Sequence, residues 1–356
     1  MAKTIAEINL AQYSNNLLAI KQAIKPSIKI MAVVKADAYG LGAQSISARA
    51  EKEGVSYLGV ATVWEGQELR ESGITIPILV LSEPEETAID SLFTFNLTPT
   101  VYSSKFLKIL NQRAVSLADC VKVHIKVDTG MGRIGCQSGE CVQWIVSIQK
   151  LHGIELEGLY SHFANADQPS STYSLKQLVI FQSILEKLKK RKIQIPLIHM
   201  ANSHGTYHFV DSHFDMVRIG ISGYKNIVTL KNKVIQIRRH PKGNYISYGN
   251  EYCTKEQTWI ATVSMGYADG LPISLGKQGR VLIGGNAYPI AGRITMDMTM
   301  VDLGPHLPRF DVGEEVVFLG KQISEEITID EICQKAGIIP YEFLCGIGKR
   351  VKRIYL

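Results

Sequence analysis

Apolar and polar positions along the chain follow two different rhythms. Over residues 29–219, short apolar runs recur at 29–34, 57–61, 76–81, 97–101, 120–127, 156–162, 197–201 and 216–219. Several carry β-branched residues on both parities, the pattern of a strand buried on both faces. The segments between them, among them 42–52, 63–71, 103–112, 139–151 and 174–190, space their apolar residues for helices. A short alternating segment (4–10) and an amphipathic helix (12–24) precede the first run. Eight alternating strand–helix units predict an α/β fold of the (β/α)8 TIM type.

Past about Lys231 the rhythm changes. Short strands are expected at 259–263, 280–283, 288–290, 299–302 and 315–318, punctuated by Gly284, Gly285, Asn286 and Gly313. A helix at 328–336 interrupts them before a last strand at 351–355. The expected division is a barrel domain over 1–230 and a mostly β C-terminal domain over 231–356, with residues 1–10 able to pack on the latter.

The length of 356 residues suits a barrel plus a smaller unit. The formal charge of +6 is modest. The one basic run, KLKKRK at 187–192, falls at the end of an expected helix, where cations favour the dipole. No nucleic-acid motif accompanies it, and no apolar stretch approaches membrane-spanning length. The start, MAKTIAEINL, lacks the apolar core of a secretory signal. The six cysteines show no CxxC pairing, so free thiols in a reducing cytoplasm are expected. No spacing suggests a metal site; His199, His204, His208 and His213 read as barrel-end and surface histidines.

Candidate chemistry gathers at the carboxyl ends of the expected strands, where barrels place their sites. Lys35 ends the first run. Desolvation there would lower its pKa and suit a Schiff-base amine; on that stretch alone, a lysine that snorkels to solvent is the simpler account. Lys126 and Asp128 lead into the glycine-rich turn that carries Arg133. Ser161 and His162, Asn202 and Ser203, and Arg218, Gly220 and Ile221 end later runs. The Ser203 hydroxyl and the Gly220 and Ile221 amides could form a phosphate cup after strands seven and eight. A lysine facing such a cup is what pyridoxal 5′-phosphate needs.

The segments AVVKADAYGLG, VDTGMGRIG, YSHFANAD, ANS, DMVRIGIS, ISYGNEY, GYADG and GRITMDM, in this order and spacing, resemble the alanine racemase family over nearly the whole chain. The resemblance implies a pyridoxal 5′-phosphate enzyme that interconverts L- and D-alanine, with D-alanine serving peptidoglycan. It implies that Lys35 holds the cofactor and that Lys35 and Tyr267 are the two acid–base groups. Arg218 would bond the pyridine nitrogen, with His162 behind it. Tyr39, Ser203, Gly220 and Ile221 would hold the phosphate, backed by Asn202. Arg133 and the Met296 amide, beside Thr295 and Asp297, would meet the substrate carboxylate. Lys126 matches a position that some members carbamylate. The implied assembly is a homodimer in which Tyr267 and Met296 complete the partner's site. Departures from the family pattern stand at Lys349, where some relatives have tyrosine, and at Met298, LPIS and residues 222–225. They border the substrate entrance and leave open a racemase of serine or of broader range. A non-catalytic cofactor-binding barrel would end near Lys231 and lack Tyr267.

Overall fold

The apolar runs become strands. In the computed structural model, which describes residues 4–356, eight parallel strands close into a barrel: Lys29–Val33, Tyr57–Val60, Ile78–Val80, Thr98–Val101, Val121–Asp128, Ile154–Tyr160, Leu197–His199 and Met216–Ile219. Each pairs in parallel with the next, and the last closes on the first, Arg218 lying opposite Met31. This is the TIM-type barrel that the alternation predicts. Met31, Tyr57, Leu79, Tyr160, Leu197 and Met216 form one buried cluster of its core.

The helices begin where polar side chains satisfy the orphan amides of their first turns. Thr62 and Glu65 form a capping box on Val63–Glu71, and Ser103 and Ser171 cap the helices Ser104–Ser116 and Thr172–Lys190. The short helices Ile89–Thr94 and Pro340–Cys345 carry too few turns for a periodic signal, and the sequence did not reveal them.

The chain divides into two compact units. One holds residues 14–38 and 43–223; the other gathers residues through 13, 39–42 and 224–356. The second is built on a sheet with strand order Asn286–Pro289, Arg280–Ile283, Glu315–Gln322, Val228–His240, Ile5–Ile8 and Lys352–Tyr355. Ile5–Ile8 pairs antiparallel with Val228–His240 and parallel with Lys352–Tyr355; residues 1–3 lie outside the described residues. The thirteen-residue strand Val228–His240 was not anticipated. Its buried side includes Asn232, which breaks the apolar pattern and is accommodated because its amide donates to Thr4 Oγ1 (2.8 Å) and the Ser264 carbonyl (2.6 Å). No disulfide joins any of the six cysteines among the described residues. No helix among the described residues is long and apolar enough to cross a membrane.

Candidate active site

Lys35 follows the first barrel strand, as expected. After it, Ala36, Asp37, Ala38 and Tyr39 all adopt positive φ (54°, 54°, 51° and 57°), followed by Gly40 at 80°. This is one turn of left-handed helix. It disfavours each L side chain by about 1–2 kcal/mol. Specific bonds hold it. The Ala38 amide donates to the Val34 carbonyl (2.8 Å), the Ala36 amide to Glu65 Oε1 (2.7 Å), and the Ala43 amide to Asp37 Oδ1 (2.7 Å). The other Glu65 oxygen accepts the amides of Ala61 (2.6 Å) and Thr62 (3.2 Å). One carboxylate therefore ties together the chain leaving two adjacent barrel strands. Its sequence signal is the Thr62-x-x-Glu65 capping box.

The barrel interior at this end is cationic. Arg218, 3 % exposed, has no carboxylate partner among the described residues. Its Nη2 donates to the carbonyls of Ser161 and Met200 (2.9 Å each) and lies 3.2 Å from His162 Nδ1. Its Nη1 lies 2.8 Å from His199 Nδ1, while its Nε makes no hydrogen bond among the described residues. Burial brings its pKa down to about 10, so it stays charged at neutral pH. Its guanidinium and the Lys126 ammonium lie 5.2 and 5.5 Å from the Tyr160 ring centre. Burial, then Arg218, Arg133 and Lys35, bring buried Lys126 down to about 7. His162 is pushed well below its ordinary value, by burial first and then by Arg218, Lys126, Arg133 and Lys35. The nearby acid is Asp128, whose carboxylate accepts the amides of Gly130, Met131 and Gly132 (2.8–2.9 Å), shaping the turn that ends at exposed Arg133.

At the adjacent strand ends, Asn202 caps the short helix Ser203–His208 by accepting the Gly205 amide (2.8 Å). Ser203 Oγ accepts the amides of Gly220 (2.9 Å) and Ser222 (3.4 Å). The Ser222 hydroxyl beside them is buried without a partner among the described residues. The fold thus brings Ser203 and Gly220 together, with Ile221 next in the chain, and links them through the serine hydroxyl.

In the other unit, Tyr39 is buried against Tyr224 and Tyr341, ring centres 4.9 and 5.6 Å away, and burial raises its phenol pKa. Tyr267 and Met296 are 41 % and 53 % exposed. Their loops are bonded to one another: the Tyr267 amide donates to the Thr295 carbonyl (3.0 Å) and the Ala268 amide to the Met296 carbonyl (3.1 Å). Gly266 permits this approach, because a Cβ there would lie 2.2 Å from the Thr295 oxygen. Arg350 clasps both loops, bonding Asp269 through Nε (2.8 Å) and Nη2 (3.0 Å) and Asp297 through Nη1 (2.7 Å). Lys349 next to it is exposed.

One expectation changes. His213 is not a surface residue: it is buried, its Nε2 2.8 Å from the Thr206 carbonyl. His199 ends a barrel strand, as expected, and its buried ring contacts Arg218. One histidine in the run LIHMA gave no sign of the guanidinium it faces. Glu65 and Arg350 were also missed. The first had its capping-box signal; the second had none, because both its partners are distant in sequence.

The family profile "Alanine racemase, N-terminal domain" matches residues 8–226, and "Alanine racemase, C-terminal domain" matches 227–355. An alanine racemase of Halothermothrix orenii is 40% identical over 366 residues, spanning 99% of this chain and 96% of that one. Among solved structures, alanine racemase of Clostridium difficile 630 superposes with a TM-score of 0.94 at 39% identity, covering 99% of this chain and 96% of that one. Alanine racemase from Bartonella henselae, with covalently bound pyridoxal phosphate, superposes at 0.89 with 28% identity and full coverage of both chains.

Proposed function

The chain belongs to the alanine racemase family, and from that premise we propose how its own residues carry the reaction. The protein is a pyridoxal 5′-phosphate-dependent racemase that interconverts L- and D-alanine. One observation carries the site assignment: a buried guanidinium with no carboxylate partner among the described residues, grouped with Lys126, Lys35 and Arg133 and two residues before the Gly220 amide that Ser203 accepts. Such a positive cluster is costly unless an anion joins it. The donor set fits the cofactor. Arg218 keeps an Nε–H for the pyridine nitrogen, Ser203, Gly220, Ile221 and the unpartnered Ser222 hydroxyl suit a phosphate, and Lys35 supplies the amine that holds it. Asn202 backs the phosphate end, and His162 braces Arg218.

When bound, the cofactor supplies an electron sink that acidifies the substrate's α C–H. Inversion then needs a proton acceptor on one face and a donor on the other. Lys35 serves one face and Tyr267 the other. Arg218 remains protonated and donates to the ring nitrogen without transferring a proton, which limits how far charge accumulates on the ring. Arg133 and the Met296 amide orient the substrate carboxylate.

Tyr267 and Met296 are exposed side chains on a unit of their own, which supports a homodimer in which they complete the partner's site. The domain assignment follows: residues 1–230 bind the cofactor, and residues 231–356 complete the partner's site. We place the enzyme in the cytoplasm, where its thiols stay reduced, supplying D-alanine for peptidoglycan. Mixing Lys35→Ala with Tyr267→Phe chains tests the assignment. Each parent should be nearly inactive, and subunit exchange should restore about a quarter of wild-type activity if both bases are required and the sites are shared. No rescue would overturn the sharing. Borohydride reduction should fix the cofactor to Lys35; chiral analysis of product from a panel of L-amino acids should rank alanine first.

A further inference from the structure

Inside the barrel, a hydrogen-bond chain continues from Arg218 away from the pocket. A guanidinium can only donate, so His199 Nδ1, 2.8 Å from Arg218 Nη1, accepts, and the proton of His199 sits on Nε2. That nitrogen lies 3.0 Å from His124 Nδ1, which therefore accepts in turn. The His124 proton is then on Nε2, 3.1 Å from Glu157 Oε2. Every link runs from donor to acceptor, with both imidazoles neutral. Burial pushes both histidines below their ordinary range, with Arg218 acting in the same direction. Burial pushes Glu157 the other way, but hydrogen bonds from His124 and from Lys122 (Nζ to Oε1, 3.2 Å) outweigh it and hold the carboxyl at about 2.

Two independent features are shaped around this chain. Val123 pairs with Leu156 and His124 with Gly158, leaving Glu157 as the extra residue of a β-bulge. A bulge re-aims a side chain, and Glu157 is buried, 8 % exposed, where Glu155 on the same strand is exposed. Gly158 makes room for the His124 ring, since a Cβ at that position would lie 2.4 Å from its Nδ1.

We propose that Glu157 is a positioning residue for the racemase site. From the amino-terminal side of the strands it sets the tautomers of His124 and His199. It thereby keeps an acceptor on Arg218 Nη1 and leaves the Nε–H of Arg218 for the ligand. The proposal rests on the assignment of Arg218 to the cofactor ring. Without the Glu157 acceptor, His124 gains nothing from a proton on Nε2. A proton moved to its Nδ1 would oppose the His199 Nε2–H, and a flip of His199 would turn an N–H against the guanidinium.

Holoenzyme carrying ring-15N histidine tests this by long-range 1H–15N correlation, with signals assigned through His124→Gln and His199→Gln. The wild type should show both residues as Nε2–H tautomers. Glu157→Gln keeps an oxygen acceptor and should preserve them. Glu157→Leu should shift His124, and His199 with it, toward Nδ1–H, while kcat falls on the order of tenfold and KM stays within about twofold. A wild-type His199 protonated on Nδ1, or tautomers unchanged in Glu157→Leu, would overturn the proposal; the wild-type spectrum decides this even if the leucine variant does not fold. A wild type with the expected tautomers but no racemase activity would count against the Arg218 assignment and leave the hydrogen-bond chain standing.

Discussion

Lys126 shows how much one residue's chemistry depends on its surroundings. Its amine is buried among cations, and its pKa near 7 leaves about half of it neutral at neutral pH, as Henderson–Hasselbalch titration requires. A neutral amine is a nucleophile for carbon dioxide, and the resulting carbamate would place a negative charge among Arg218, Arg133 and Lys35. Holoenzyme equilibrated with 13C-bicarbonate should therefore show one carbamate carbon resonance, absent in Lys126→Met. Only the unprotonated amine reacts, so the signal should fade as pH falls below 7. A spectrum without the resonance at pH 8 would remove the modification from the site. Lys35, Arg218 and Ser203 were legible because each stands at the end of an apolar run, where the barrel itself assigns position. Glu157 and His124 were not. Their meaning lies in a bulge and in a contact across strands, neither of which leaves a periodic trace.

Among the elements, the loops of Tyr267 and Met296 behave as a pair. Their backbones bond each other, Gly266 lets them approach, and Arg350 spans Asp269 and Asp297. The Asp269 side chain is buried and also accepts the Gly266 amide (2.9 Å). Arg350→Met should thus cost about 1–3 kcal/mol of stability, since it strips charged hydrogen bonds from a buried carboxylate. It should lower kcat more than it raises KM, because a proton-transfer group loses its register. Arg350→Lys keeps charge but not the fork and should fall between the two. Thermal unfolding and steady-state kinetics on the three proteins would check this; an unchanged kcat in the methionine variant would free Tyr267 from dependence on Arg350. The eight barrel strands and the main helices were readable because short continuous apolar runs alternate with longer segments of period near 3.6. The Val228–His240 strand was not, because a buried asparagine with its own partners replaces an apolar residue.

At the scale of the whole molecule, the buried histidines link the fold to pH. His124, His162 and His199 are all depressed in the native state, with burial the first cause. The unfolded chain binds protons on them at about pH 6.5, and the native chain only at lower pH. Below 6.5 the unfolded state therefore holds more protons, and stability falls as pH falls. Each histidine contributes about 1.4 kcal/mol per pH unit once the unfolded form is fully protonated and the native form is not. Urea unfolding between pH 7 and 5 should show this steepening above the range, near the ordinary carboxylate value, where the unfolded chain begins to protonate Glu157. Flat stability over that range would mean that the histidines titrate alike in both states.

The left-handed turn after Lys35 also bears on the order in which the protein assembles. Four L residues in a row are held in a basin that an isolated peptide of the same sequence would avoid. Glu65, which accepts the Ala36 amide, lies 29 residues further on, in the helix Val63–Glu71. Part of what holds the turn therefore arrives only with the second strand–helix unit, and the direction in which the chain leaves Lys35 depends on a carboxylate distant in sequence.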